Sequence, residues 1–182
     1  MKTRRLKQLG NLALLSFATA ASLWVLAPGT ALAHDDHGRV VVMRDDCDPN
    51  DPAWAPTGGC TRKNGQVTFA EFAGELDSPL AAAVIGHQAW RNEPSYLEIE
   101  GNAFLIARNR GGRVHTFTEV AHFGGGQVPI LNEGLAPAPE CFAATDVPPD
   151  HQVTVGPLAA GNHRFQCCIH PWMRALVKVK PD

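Results

Sequence analysis

Two adjacent cysteines, Cys167 and Cys168, end the segment His163-Arg164-Phe165-Gln166-Cys167-Cys168, and their adjacency limits the fold more than any other feature of the chain. Successive side chains on a strand point to opposite faces. If this segment is a strand, His163, Phe165 and Cys167 share one face, and Arg164, Gln166 and Cys168 share the other. The two thiols then meet different environments, one able to reach an interior site beside Phe165 and the other a partner across the sheet. The continuation, Ile169-His170-Pro171-Trp172-Met173, sets a Cys, a His and a Met at three-residue spacing just before a last apolar alternation, Ala175 to Lys180.

Thiolate, imidazole and thioether together form the soft and borderline donor set that suits copper, whereas hard cations prefer oxygen. With a second imidazole the set would be two His and one Cys in a plane with a weak axial Met. His115 is the candidate. It begins a strand after Gly111-Gly112, where a side chain at the end of a sandwich can face a loop from another strand. His34, His37, His87, His122, His151 and His163 fit ordinary surface or half-buried roles better. Zinc would accept Cys and His, but Met is a poor zinc ligand. A dinuclear copper centre needs two cysteines on one face, which adjacency forbids.

Residues 1–33 have the three parts of a secretory signal peptide: basic Lys2, Arg4, Arg5 and Lys7, a mostly apolar stretch over 10–28, and the small-x-small site Ala31-Leu32-Ala33. Asn11, Ser16, Thr19 and Ser22 dilute the stretch and argue against a retained membrane anchor. The expected location is periplasmic or secreted, with no membrane attachment after cleavage, and Arg4-Arg5 leaves the export route open. The 149 residues that remain suffice for one domain. The segment removed takes four of the chain's 16 basic side chains and none of its 18 acidic ones, so the mature charge is about −6. That disfavours nucleic acid as a partner. A basic partner surface would suit it, as would plain solvation.

An exported chain with five cysteines is expected to oxidise most of them. One metal-ligating Cys leaves four, with three possible pairings. Cys47 and Cys60 bracket a segment rich in Asp, Pro and Gly with little apolar content to hold it, which favours Cys47 with Cys60; Cys141 with Cys168 then follows by elimination. Residues 34–63 read as an irregular, disulfide-closed leader. Its run Asp45-Asp46-Cys47-Asp48-Pro49-Asn50-Asp51 lacks the spacing and closing Glu of an EF-hand and reads as a solvated loop.

From residue 64 the chain alternates short strand patterns with turns. Val67 to Phe72 reads as a first strand, and 80–86 as a short helix ending near Gly86. Tyr96 to Glu100, Phe104 to Asn109, Val114 to Val120, Gln152 to Val155, His163 to Cys167 and Ala175 to Lys180 read as strands, with a long irregular connection over 124–149. Many short strands and no strong helix imply an all-β, antiparallel Greek-key β-sandwich.

The loop Cys167-x-x-His170-Pro171-Trp172-Met173-Arg174, followed by Leu176 to Val179, resembles the ligand loop of amicyanins, and residues 64–182 are loosely similar to a cupredoxin, a small blue-copper protein. The resemblance implies one type 1 copper held by His115, Cys167, His170 and axial Met173 near one end of the sandwich. It also implies a monomeric, non-enzymatic electron carrier. Thr116 stands where many members carry Asn, and Cys168, the leader and residues 121–150 have no counterpart in a minimal member. Pro171 and Trp172 would form an apolar collar at the His170 edge, suited to docking a redox protein partner. Two other functions compete. A mature N-terminal His34 could chelate copper in a copper-dependent enzyme, although the chain has no room for the further domains of a multicopper oxidase. A trafficking module would need a more exposed site than a strand end and a tight loop provide.

Overall fold

The computed structural model describes residues 39–77 and 85–181. The signal segment, His34, His37 and most of the helix expected over 80–86 lie outside the described residues. Ten strands follow in chain order: β1 (Val40–Arg44), β2 (Arg91–Glu93), β3 (Tyr96–Ile99), β4 (Leu105–Asn109), β5 (His115–Thr116), β6 (Thr118–Val120), β7 (Asp146–Val147), β8 (Gln152–Val155), β9 (Gly161–Gln166) and β10 (Arg174–Val179). A helix, α1 (Phe69–Leu76), precedes β2. None of the described helices is long and apolar enough to cross a membrane.

The strands form two four-stranded sheets, ordered β2-β1-β4-β8 and β3-β10-β9-β6, with a small β5-β7 pair. The expected purely antiparallel order is corrected at two ladders: β1 runs parallel to β4, and β10 runs parallel to β3. Alternate residues of each sheet turn inward, as period two requires. Val41, Met43, Leu105 and Ala107 of one sheet and Phe165, Ala175 and Val177 of the other meet in one buried cluster. This is the core of a β-sandwich.

Two expectations near the start fail for local reasons. The supposed irregular leader contains β1, an interior strand whose Val41 and Met43 are fully buried. Its apolar run Val40-Val41-Val42-Met43 is an ordinary strand signal, overshadowed in the sequence by the acidic residues that follow. The strand expected over Val67 to Phe72 gives way to α1. Thr68 caps it by accepting from the Glu71 N–H at 3.2 Å, while the Glu71 carboxylate accepts from the Thr68 N–H at 2.8 Å. This reciprocal box satisfies two otherwise orphaned donors, and Phe72 and Leu76, four apart, bury one helical face. Within the connection over 124–149, only short 3₁₀ turns and the two-residue β7 are regular.

Candidate metal centre

Strand β9 delivers Cys167 and Cys168 to opposite sides of its sheet. Cys167 is fully buried in the main core and carries a free thiol, whereas Cys168 is bonded to Cys141 within a separate small cluster with Val120 and Ala138. Cys47 and Cys60 form the other disulfide.

The chain then turns tightly through His170 and re-enters the sheet as β10. The Met173 N–H donates to the His170 carbonyl at 2.9 Å, and the Cys167 N–H donates to the Met173 carbonyl at 3.0 Å. Asn92, buried on β2, donates its side-chain amide to that same carbonyl at 3.0 Å. The two ends of the loop are thereby held together, and both Cys167 and Met173 are completely buried.

Strand β5 brings His115 in from the other side. Its Nδ1 lies 3.8 Å from Cys167 Sγ, and His170 Nδ1 lies 3.7 Å from the same sulfur. The ligand atoms of His115, Cys167 and His170 all fall within 4.8 Å of one another, in full burial. The two N···S separations are short enough for one ion to be shared at metal–nitrogen bonds of about 2.0 Å and metal–sulfur bonds of about 2.3 Å. Two borderline imidazoles and a soft thiolate fit copper, and Met173 is buried at the end of the same loop.

Further contacts shape the sulfur. Backbone N–H groups of Thr116 and His170 each donate to Cys167 Sγ at 3.4 Å. The Thr116 hydroxyl accepts from the Cys168 N–H at 2.7 Å, which stitches the His115 strand to the cysteine pair. Burial pushes the Cys167 thiol pKa up, but hydrogen bonds and charge from His115 and His170 outweigh it and hold the thiol well below its ordinary value. Burial holds His170 below the usual imidazole range, although the Cys167 thiolate pulls upward. A sulfur biased toward thiolate beside an imidazole biased toward neutral is the protonation state that ligation requires.

Asp45 is a further residue of the site, with no signal of its own in the sequence. It follows β1 in the acidic run taken for a solvated loop, yet it is 1% exposed. Its Oδ2 lies 2.8 Å from His115 Nε2. Burial alone would raise the Asp45 pKa, but the hydrogen bond and charge of His115, with the Gly112 and Arg113 N–H groups, bring it below the ordinary value. For His115 burial pulls downward, and the Asp45 and Cys167 contacts push its pKa up to about 9.

The expected collar at the His170 edge does not reach the surface. Pro171 and Trp172 are buried. The rings of Trp172, Phe72 and Trp90 surround His170 at centroid distances of 5.6, 6.4 and 6.4 Å. Gly86 packs so closely that a Cβ there would lie 2.0 Å from the Trp172 ring. Of the remaining described histidines, His87 is buried beside Glu75, His163 pairs with Glu119, and His122 and His151 are exposed; none joins the cluster.

Fold and donor set together describe a two-sheet β-sandwich whose buried His115, Cys167 and His170 fit a single copper ion. Among solved structures, the chain is similar to a purple cupredoxin from Nitrosopumilus maritimus, with 14% identity and a TM-score of 0.41 over 78% of this chain and 98% of that one. It is also similar to amicyanin mutants. One is a methionine-to-alanine variant in the Cu(I) state, with 20% identity and a TM-score of 0.35 over 50% of this chain and 73% of that one. Another is a reduced tryptophan-to-tyrosine variant, with 19% identity and a TM-score of 0.36 over 57% and 84% of the two chains. No family model and no curated protein matches the sequence.

Proposed function

We propose that this protein is an exported carrier of single electrons with one type 1 copper that would be held by His115, Cys167, His170 and Met173. The observation that carries this reading is the fully buried Cys167 sulfur flanked by two imidazole Nδ1 atoms at 3.7 and 3.8 Å. Copper bound there would supply a one-electron Cu(II)/Cu(I) couple. The chain's own part is to hold the donors still. The hydrogen bonds that close the loop, together with the Thr116 bond to Cys168, fix the cage from both sides, so a change of oxidation state demands little movement. Full burial of the donors favours retention of the ion over its delivery elsewhere.

In this reading residues 1–33 direct export and the mature, non-enzymatic monomer works in the periplasm or outside the cell. β1 belongs with residues 64–182 in the copper-binding sandwich. A redox protein is the natural partner. Because Phe72, Trp90 and Trp172 wrap the His170 ring, an electron passing by that histidine crosses an aromatic layer and does not leave from an exposed imidazole edge.

The test is to load the purified mature protein with Cu(II), then record its visible and EPR spectra and reduce it. Binding of one copper, an intense blue or purple charge-transfer band, small copper hyperfine splitting and reversible bleaching support the proposal. A pale tetragonal signal would refute it and direct attention to His34.

A further inference from the structure

We propose that Asp45 is the positioning residue of the copper site: it fixes the His115 ring and, as a buried anion, lowers the reduction potential. This rests on the type 1 reading above.

The geometry leaves the Asp45 carboxylate only donors to face. Oδ1 accepts from the Gly112 N–H at 2.9 Å and from the Cys47 N–H at 3.4 Å. Oδ2 accepts from the Arg113 N–H at 3.0 Å and lies 2.8 Å from His115 Nε2. Two oxygens surrounded by N–H groups stay ionised, and the fourth donor is then the His115 Nε2–H. With the Nε2 proton committed to Asp45, Nδ1, which faces Cys167, is the nitrogen whose proton a metal ion would displace. A carboxylate that accepts from a ligand imidazole fixes its tautomer and strengthens its donation to the metal. Stronger donation and a nearby negative charge favour Cu(II) over Cu(I).

The surroundings are built to this carboxylate. A Cβ on Gly111 would fall 1.9 Å from Asp45 Oδ2, and one on Gly112 would fall 2.7 Å from Cys47 Sγ. The glycine pair therefore admits the carboxylate and the disulfide together. Cys47 is two residues from Asp45 and bonded to Cys60, so the disulfide clamps the turn that carries the anion. The pairing of these cysteines thereby serves the metal centre as well as the chain end.

The experiment compares reduction potentials of the copper-loaded wild type, Asp45→Asn and Asp46→Asn. Asp46 is the fair control, because it carries the same charge one residue away and pairs with Arg62 at 3.0 Å. Asp45→Asn is expected to keep the charge-transfer band and shift the potential positive, clearly beyond Asp46→Asn. The Cu(I) wild type should also show a slowly exchanging His115 Nε2 proton by NMR. Equal potentials in the two variants, or a freely exchanging Nε2 proton, would overturn the proposal. Should Asp45→Asn fail to fold, Gly111→Ala, which displaces the carboxylate without removing its charge, must shift the potential in the same direction or the idea fails. A wild type with no intense band would instead sink the type 1 reading itself.

Discussion

His115 and His170 flank the same sulfur at nearly the same distance, yet the protein holds them by opposite means. His115 sits in a polar cradle of Asp45, the Gly112 and Arg113 N–H groups and the Thr116 strand. His170 sits among rings, with Trp172, Trp90 and Phe72 around it and α1 and the turn at Gly86 outside them. A carboxylate hydrogen bond is directional and charged, so it governs the electronics of its ligand. Aromatic packing has little direction but buries much area, so it governs stability and solvent access. The two halves of one site should therefore respond differently to damage.

The largest effect is expected on the packed side. Trp90 is 1% exposed and contacts Trp54, Phe72, His87 and His170. Trp90→Ala should cost about 3–5 kcal/mol in denaturant unfolding of the metal-free protein, and solvent would then reach the His170 edge. A cost below about 1 kcal/mol, the level of an ordinary surface change, would show that packing does not secure this half.

On the polar side the expected loss is smaller. Thr116→Val keeps the shape but strands the buried Cys168 N–H, which now donates to the hydroxyl at 2.7 Å. About 1–3 kcal/mol should be lost, with a change in the charge-transfer band, because loss of the hydroxyl's bond frees the Cys168 backbone next to Cys167 to shift. An unaltered band together with full stability would show that the stitch between the His115 strand and the cysteine pair is idle.

The smallest effect lies away from both halves and serves as their control. His163 directs Nδ1 at Glu119 at 2.6 Å and Nε2 at the Ala159 carbonyl at 2.8 Å, so only the imidazolium can donate at both ends. Partial burial opposes this charge, but the Ala159 and Glu119 bonds raise the His163 pKa above its ordinary 6.5. The unfolded chain lacks these bonds. Their stabilisation is therefore complete below pH 6.5 and fades as pH rises through the folded value. Since the pair is partly exposed, at most about 1 kcal/mol should be involved. Glu119→Gln should flatten that slope in urea melts taken from pH 6.5 upward and leave the spectrum untouched. A slope unchanged by the substitution would assign the titration to another group.

Most strands after residue 95 and the separation of the two thiols were legible in the sequence, because both depend on local pattern. Period-two alternation separated Cys167 from Cys168, and the short spacing from Cys167 to His170 and Met173 describes a loop that must close on itself. What was not legible depends on long-range placement or on a local signal masked by its neighbours. Nothing in the acidic run around Asp45 distinguishes a solvated carboxylate from one that crosses 70 residues of sequence to meet His115. The strand signal of β1 was hidden beside those charges, and the capping box Thr68-x-x-Glu71 was a readable sign of α1 that the alternation of Val67, Phe69 and Glu71 obscured. Pro171 and Trp172 resemble a surface collar because the sequence does not reveal that Gly86 and Phe72 pack against Trp172.

Strand alternation assigns the two adjacent cysteines to different chemistries. Copper titrations of Cys167→Ser and Cys168→Ser, followed by visible absorption, test it directly. Cys167→Ser should lose the charge-transfer band. Cys168→Ser should keep it while unfolding about 2–4 kcal/mol more easily for want of the bond to Cys141. A band that survives in Cys167→Ser, or one that vanishes from a still folded Cys168→Ser, would contradict the assignment.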